Sequence, residues 1–347
     1  MNGFVHVKTG GSHRDMGVDF GRAVKDVLKE FLAESAGFYR NHAHHEVDYL
    51  RRFVLKNYLP QAARRYPQYI EEVRGIAEGA KLSFEDVFLL TADDEISDLW
   101  DKPKKEKCSS AIVSTSRGMF MLHNEDYPPR YHGRLVICHA EPDDAPAFLA
   151  LTYPYMLAGP SCGLNARGLG FTVDSMNFPP RREGTLSNFV QRDYYSSHEI
   201  GDVRRKSAMK DLTASTAVGV AHVSGEAHML ELSTRGNDQS ELGASRFLAH
   251  TNHCLSPRIP RADELPRLGS RFRLAVLEHL LDGKAEDLSL PALKKSLTTK
   301  RLAVTRQIAR DPHDSVTLAS VVIDLSGKAL HVSKRGPGGH PYRAYTL

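Results

Sequence analysis

The chain has 347 residues, of which 41% are hydrophobic and 25% charged, and its formal net charge is +4. This length allows one large domain or two smaller ones, with enough material for a substantial core. The sequence has no run of eighteen apolar residues and does not begin like a signal peptide, so we expect a cytoplasmic protein without a membrane span. The four cysteines have no CxxC spacing, which indicates free thiols.

The positive charge is mild and is concentrated in two short runs, at 102–107 and 204–206. No aromatic residues interleave these runs, although base-stacking side chains are typical of nucleic-acid-binding surfaces. We therefore interpret both runs as solvated loops and do not expect a nucleic-acid partner.

The first hundred residues are predicted to be mostly helical, with apolar residues at helical spacing over 14–37, 45–58 and 66–79. A further helix is predicted to begin after Ser83, because Ser83 and Asp86 have the spacing of a helix N-cap and its reciprocal partner. This helix is predicted to run towards Trp100. Residues 1–107 are thus expected to form a helical segment.

From Cys108 onwards the apolar pattern changes to the period of two that is typical of strands. Strands are predicted near 109–116, 119–124, 134–140, 146–153, 168–176, 217–223, 227–233, 247–251, 317–324 and 329–332. Helices are predicted over 188–212, 268–282 and 288–298. Helices first and strands later indicate an α+β fold in layers, with a mostly antiparallel sheet.

Cys108 lies at the start of the first predicted hairpin, directly after the polar stretch 101–107. A thiol on the first residue of a strand, once freed by backbone cleavage, has a general base in its own α-amino group. That group has an ordinary pKa of about 8, close to the thiol pKa of about 8.5, so it can accept the thiol proton. The alternative is a small buried core residue, which is what most free cysteines are.

Polar residues near predicted strand ends are candidates to assist such a thiol. The Asn-Glu-Asp run 124–126 ends the second strand of the hairpin, where a carboxylate can face Cys108 and orient the α-amino group as a triad carboxylate orients its base. The alternative for this run is a polar strand end that leads into a loop. Asn177 and Asn252 close apolar strands, and a neutral amide is a suitable donor to an oxyanion. Each asparagine is otherwise typical of a turn. Tyr153, Tyr155 and Phe178 are candidates to line an apolar acyl pocket, or to belong to the core.

These residues together resemble the family of acyl-coenzyme A:6-aminopenicillanic-acid acyltransferase, the C45-type cysteine N-terminal nucleophile hydrolases. Three blocks carry the resemblance, and their order and spacing extend over nearly the whole chain. The blocks are 10–17 with Gly21; 73–80 with Leu82, Glu85, Asp86 and Val87; and 108–110 with 123–126 and 251–253.

The resemblance implies a four-layer αββα sandwich and self-cleavage between Lys107 and Cys108. Residues 1–107 would become a small chain that stays associated with a large catalytic chain, 108–347. It further implies that Cys108 is both nucleophile and base with Asp126 beside it, that Asn177 and Asn252 are the oxyanion asparagines, and that a late arginine, here Arg310, contributes to the site.

The chain departs from the family pattern at two places. Lys107 stands where members usually have glycine, and His123 replaces the arginine of the Arg-Asn-x-Asp motif. The resulting Asn-Glu-Asp sequence, 124–126, is similar to the branch that hydrolyses β-alanyl amides of biogenic amines.

From these observations we expect an amidohydrolase that cleaves a small N-acyl amide through a thioester on Cys108, without a metal or organic cofactor. The first alternative is an acyltransferase that passes an acyl group from a coenzyme A thioester to an amine. The second is an unprocessed, non-catalytic binding protein on the same fold. A cysteine protease that relies on a distant His250 or His253 is a weaker interpretation.

Overall fold

The computed structural model describes residues 4–42, 45–97, 108–176, 178–179, 183–261, 268–299, 315–334 and 341–347. Three of the residues predicted to belong to the site, Lys107, Asn177 and Arg310, lie outside these ranges. Among the described residues, no helix is both long and apolar enough to cross a membrane.

Two β-sheets form the centre of the molecule. The strands are β1 (Val5–Gly11), β2 (Ser109–Thr115), β3 (Gly118–Tyr127), β4 (Val136–Pro142), β5 (Phe148–Thr152), β6 (Cys162–Asn165), β7 (Leu169–Ser175), β8 (Thr216–His222), β9 (Ala227–Ser233), β10 (Gly236–Glu241), β11 (Phe247–His250), β12 (Val316–Asp324), β13 (Ala329–Lys334) and β14 (Arg343–Thr346). One sheet has the order β1-β4-β5-β6-β7-β8-β9-β10 and the other β11-β2-β3-β12-β13-β14. Their strand pairs are antiparallel, except that β1 is parallel to β4.

Helices cover the outer side of both sheets. They are α1 (His13–His42), α2 (Val47–Asn57), α3 (Leu59–Arg65), α4 (Pro67–Ala80), α5 (Phe84–Thr91), α6 (Asp93–Ser97), α7 (Ser187–Tyr194), α8 (Ile200–Ser207), α9 (Leu268–Leu281) and α10 (Leu290–Leu297). The N-cap predicted at Ser83 is confirmed, because its hydroxyl accepts a hydrogen bond from the backbone N–H of Asp86.

The alternation of side chains along β2 and β3 produces the layers. Ala111 and Val113 face outwards and pack against Leu277 and Leu293 of α9 and α10. Ile112, on the opposite face, belongs to the main core between the sheets, where β2 and β3 contact β7 and β8. Successive strand residues point to opposite faces, so one hairpin serves two interfaces. The predicted four-layer αββα sandwich is confirmed.

The glycine blocks near the N-terminus have a packing role. A Cβ atom added at Gly17 would lie 2.1 Å from the carbonyl oxygen of Glu72, and one at Gly75 would lie 2.2 Å from that of Arg14. These distances are shorter than any van der Waals contact, so α1 and α4 approach closely only because both residues lack a side chain.

Residues 4–97 are joined to the rest of the protein by buried contacts. β1 is an edge strand of the eight-stranded sheet, and Glu72 of α4 forms an ion pair with the fully buried Arg192 of α7, with Nη2 and Oε2 3.0 Å apart. The hydroxyl of Tyr131 donates to Asp93 at 2.7 Å. The N-terminal part therefore shares its core with the part that begins at Cys108.

The helical stretch predicted around 188–212 consists of two short helices, α7 and α8. A new helix begins after Glu199, whose side chain and that of Asp202 form a capping box. This local capping satisfies the first backbone N–H groups of α8 and allows the chain to change direction.

Candidate active site

Cys108 is the last residue before β2, and its side chain is 5% exposed. The hairpin pairs Ser109 with Asn124, and continuing this register places Cys108 opposite Glu125. Directly opposed residues in an antiparallel pair point to the same face. Accordingly the Cys108 thiol donates to Glu125 Oε1, with Sγ and Oε1 3.2 Å apart.

Other side chains, including Tyr153 and His123, also hold Glu125. The hydroxyl of Tyr153 donates to Oε1 at 2.7 Å, and His123 Nε2 lies 3.0 Å from Oε2. The second ring nitrogen of His123, Nδ1, is 2.9 Å from the hydroxyl of Ser110. A continuous hydrogen-bonded chain therefore runs from the thiol through Glu125 and His123 to Ser110.

The charges of the side chains in this hydrogen-bonded series follow from burial and pairing. Burial acts to raise the pKa of Glu125, but the hydrogen bond and positive charge of His123 outweigh it, so the pKa is lowered. Burial likewise opposes protonation of His123, yet Glu125 raises the His123 pKa. Burial, followed by the nearby negative charges, raises the pKa of the Cys108 thiol well above its ordinary value. In the uncleaved chain the thiol is thus protonated beside an ion pair.

Asp126 points to the other face of β3, as strand alternation requires. Its Oδ1 accepts a hydrogen bond from the Thr317 hydroxyl at 2.5 Å, and its Oδ2 has no hydrogen-bond partner among the described residues. The contact of Asp126 with the Cys108 sulfur is through the backbone oxygen, 3.8 Å away. Burial, only partly offset by the charge of Arg273, raises the Asp126 pKa to about 7.

Arg273 of α9 connects the thiol residue to Asn252. Its Nη1 donates to the backbone oxygen of Cys108 at 2.7 Å and to the hydroxyl of Ser109 at 2.6 Å. Its Nη2 donates to Asn252 Oδ1 at 2.8 Å. The Asn252 side chain in turn donates from Nδ2 to the backbone oxygen of Ser175 at 2.9 Å, which ties it to the end of β7.

A second buried acid and histidine pair holds the segment that carries Asn252. His250 Nε2 lies 2.9 Å from Glu231 Oε1, and the backbone N–H groups of Leu255 and Ser256 donate to the Glu231 carboxylate at 2.6 and 2.7 Å. Three contacts to one carboxylate fix the loop on both sides of Asn252.

The predicted pocket residues occupy different places. Tyr153 belongs to the site through its bond to Glu125. Tyr155 is fully buried and stacks on Phe31 of α1, with ring centroids 4.4 Å apart. Phe178 lies in a separate buried cluster with Met176. The structure brings Cys108, Asp126, Asn252 and Tyr153 together, and it places Tyr155 in the aromatic core.

The sequence left open which carboxylate of 124–126 faces the thiol, and the choice fell on Asp126; His123, Arg273 and Asp174 were missed. Parity along the hairpin was a usable signal for Glu125 and His123, because residues opposite Cys108 and Ser110 on the same face must be odd-numbered in β3. Asp174 of β7 is 1% exposed, and its pKa is raised to about 6, chiefly by burial. Arg273 is 165 residues from Cys108 and has no local signal.

These features define a class of protein, an αββα sandwich with a buried thiol at the start of a central strand. The chain belongs to the family of acyl-coenzyme A:6-aminopenicillanic acid acyl-transferase, whose sequence model matches residues 113–337. The resemblance inferred from the sequence is thereby confirmed.

Two curated relatives have similar sequences. The β-alanyl-dopamine/carcinine hydrolase of Drosophila melanogaster is 26% identical over 225 residues, which cover 60% of this chain and 58% of the fly protein. The 40 kDa form of acyl-coenzyme A:6-aminopenicillanic-acid-acyltransferase from Emericella nidulans is 24% identical over 351 residues, covering 99% of this chain and 96% of the fungal protein. The chain thus spans less than two thirds of the fly relative.

Two solved structures are similar at low identity. The Caenorhabditis elegans ortholog of N-acylethanolamine-hydrolyzing acid amidase has a TM-score of 0.47 and 12% identity, covering 63% of this chain and 93% of the other. Penicillin V acylase from Agrobacterium tumefaciens has a TM-score of 0.43 and 10% identity, covering 65% of this chain and 82% of the other.

Proposed function

We propose that this protein is an amidohydrolase that uses the Cys108 thiol to cleave small N-acyl amides, after it has cleaved its own backbone between Lys107 and Cys108. The observation that carries this proposal is the 3.2 Å contact between the Cys108 sulfur and Glu125, in a buried site at the head of β2. Membership of an acyl-transfer family and the two relatives named above support the reaction class.

Self-cleavage needs a base other than the α-amino group, because the nitrogen of Cys108 is an amide until the bond is broken. Glu125 takes the thiol proton in our proposal, and its proximity to Sγ supports this role. The thiolate then attacks the carbonyl carbon of Lys107, the C–N bond breaks, and the nitrogen of Cys108 takes up a proton. Water hydrolyses the resulting thioester, which leaves the Lys107 carboxylate and a free α-amino group on Cys108.

The mature reaction then uses that amino group as the base. It accepts the thiol proton, the sulfur attacks the substrate carbonyl carbon, and the amine leaves with a proton. Water attacks the thioester and releases the acid. Asn177 and Asn252 donate to the oxyanion in this proposal, and Asp126 orients the amino group. Arg273 holds the carbonyl of Cys108 and so fixes the position of the nucleophile.

The remaining assignments are also proposals. Phe178 is retained as an acyl-pocket residue and Arg310 as a substrate-binding residue, and Tyr153 contacts the site through Glu125. Tyr155 is assigned to the aromatic core instead of the pocket. The buried ion pair of Glu72 with Arg192 supports continued association of the small and large chains after cleavage. We propose a cytoplasmic location, with which the four free cysteines are consistent.

An acyltransferase is the second candidate function, and the near-complete match to the fungal acyltransferase favours it. Its chemistry differs in one step, because an amine instead of water resolves the thioester. Product analysis with and without an added amine acceptor separates the two reactions.

Intact-mass spectrometry of the purified protein tests the proposal. We expect two species, residues 1–107 and 108–347, and a mass increase on the larger one when an N-acyl amide is added. Cys108→Ala should remain one chain and be inactive. A wild-type chain that stays uncleaved, together with unchanged amidase activity in Cys108→Ala, contradicts the proposal. An uncleaved wild-type chain without amidase activity favours an unprocessed binding protein.

A further inference from the structure

Cys108, His123 and Glu125 have a second chemical property besides proton transfer. Each offers one metal-ligand atom, and these atoms all lie within 4.8 Å of one another, with all three residues buried. Sulfur, imidazole nitrogen and carboxylate oxygen are the donors that zinc prefers. Ligand atoms around a tetrahedral zinc ion are about 3 to 4 Å apart. Here Sγ lies 3.2 Å from Glu125 Oε1, and His123 Nε2 lies 3.0 Å from the other carboxylate oxygen, Oε2, so small side-chain movements would bring one atom of each residue to a common ion.

We propose that Cys108, His123 and Glu125 form a binding site for one zinc-like divalent cation. The ion replaces the thiol proton and the proton shared by His123 and Glu125. Water completes the coordination. Binding does not depend on the proposed amidase reaction, since it needs only the three side chains on the inner face of the hairpin.

The surroundings already contain the second layer of contacts that metal sites require. A metal-bound imidazole donates its other N–H to a fixed acceptor, which sets its orientation. Here His123 Nδ1 is 2.9 Å from the hydroxyl of Ser110. The Tyr153 hydroxyl fixes the Glu125 carboxylate at 2.7 Å. With these contacts in place, His123 Nε2 faces Glu125 Oε2, and Glu125 Oε1 faces the Cys108 sulfur.

The charges around Cys108, His123 and Glu125 also favour a cation. His250 is paired with Glu231, and Arg273 is bound to Asn252 and to the Cys108 carbonyl. Asp174 of β7 is buried, and its negative charge acts on both Cys108 and His123. Burying a carboxylate is costly, so a nearby dication would stabilise it.

Metal binding would weaken the nucleophile. Zinc withdraws negative charge from a bound thiolate and so lowers its reactivity towards a carbonyl carbon, and the metal-bound protein would cleave itself and turn over an amide more slowly. The site would then act as a reversible inhibitor site on the nucleophile.

Cadmium titration of the full-length protein, after removal of metals with a chelator, tests the site directly. Cadmium bound to a thiolate has a charge-transfer absorption in the ultraviolet, which reports the Cys108 bond without any activity measurement. We expect the band to saturate at one equivalent, to disappear when zinc is added, and to be absent in Cys108→Ala. His123→Gln and Glu125→Gln should each weaken binding about tenfold or more.

Cys138→Ala is the matched control, because Cys138 is also a buried free cysteine but lies on β4. Its titration should match that of the wild type. No band in the wild type, or equal affinity in folded His123→Gln and Glu125→Gln, would overturn the site, since the thiol would then act alone. Tight cadmium binding by a protein that never cleaves itself would leave the metal site standing and reject the proposed function.

Discussion

Two buried glutamates, Glu125 and Glu72, show how the same kind of ion pair serves different ends. Glu125 is paired with His123 beside a thiol, with Nε2 and Oε2 3.0 Å apart. Glu72 is paired with Arg192, which lies against the rings of Tyr69 and Phe148, and also with His13, whose Nδ1 is 3.0 Å from Oε2. Arginine keeps its proton at any working pH, so Glu72 has a permanent positive partner, whereas His123 can exchange its proton near neutrality. The permanent charge beside Glu72, and the thiol that donates to Glu125, distinguish the structural pair from the candidate reactive one.

Among the variants, Glu125→Gln should have the largest effect on self-cleavage, and it tests the comparison of Glu125 with Glu72 most directly. The amide keeps the shape of the side chain but cannot accept the thiol proton. We expect self-cleavage to slow by about 10²- to 10⁴-fold, the range of general-base contributions. A time course of intact mass in freshly made protein measures it.

Glu72→Gln is the control for that experiment, since it changes a buried paired glutamate of the same kind. Its cleavage rate per folded molecule should match the wild type. Equal slowing in both variants would show that loss of any buried pair disturbs the site, and that Glu125 has no special role.

Arg192→Met should act on stability alone. It leaves the Glu72 carboxylate buried without its arginine, which typically costs about 3 to 5 kcal/mol. Denaturant titration should show the lower free energy of unfolding, while the fraction that stays folded cleaves normally. The double variant with Glu72→Gln should recover part of the loss, because no unpaired charge remains. A double variant as unstable as the sum of the two single variants would exclude direct coupling.

The pH dependence of stability sharpens the contrast further. Burial acts to raise the Glu72 pKa, but Arg192 and His13 outweigh it and the folded-state pKa is lowered. A lowered folded-state pKa contributes stability above the ordinary glutamate pKa of about 4.3, and this contribution is lost as the pH falls through the folded-state value. Wild type should therefore exceed Glu72→Gln in stability at pH 7, and the difference should shrink below about pH 4. Urea midpoints of both proteins at pH 7 and at acid pH measure this difference, and a constant difference would contradict it.

Much of the fold follows from local patterns in the sequence. The hairpin at Cys108 and the helix after Ser83 were predictable because alternation and capping act over a few residues. The strands β1, β6, β10 and β14 were not predicted. β1 is an edge strand whose partner β4 is more than a hundred residues away, and β10 is mostly exposed, so it lacks the apolar alternation that marks a strand. β6 and β14 have only 4 residues each, too few for alternation to be recognised.

The residues of the candidate site also divide into those with a local sequence signal and those without one. Cys108 is conspicuous because a thiol follows a polar stretch and begins a strand, and Asn252 because it closes one. The choice of Asp126 as the carboxylate beside the thiol stays a prediction, but strand parity directs Glu125 to the sulfur. Arg273 and Asp174 reach the site from α9 and β7 through tertiary packing alone, which no local pattern encodes.

Ser110→Ala is expected to have the smallest effect. It tests the last residue of the hydrogen-bonded series that runs from the Cys108 thiol through Glu125 and His123 to Ser110. It removes the hydroxyl 2.9 Å from His123 Nδ1, and one such hydrogen bond is worth about 0.5 to 1.5 kcal/mol. If that bond helps to hold His123 against Glu125, self-cleavage should slow by about three- to tenfold in an intact-mass time course.

Ser320→Ala is the matched control, because Ser320 donates to Asn124 Oδ1 at 2.7 Å on the opposite face of β3. It should reduce stability by a similar amount and leave the cleavage rate unchanged. Equal cleavage rates in the two variants would mean that proton transfer to Glu125 does not depend on how His123 is held.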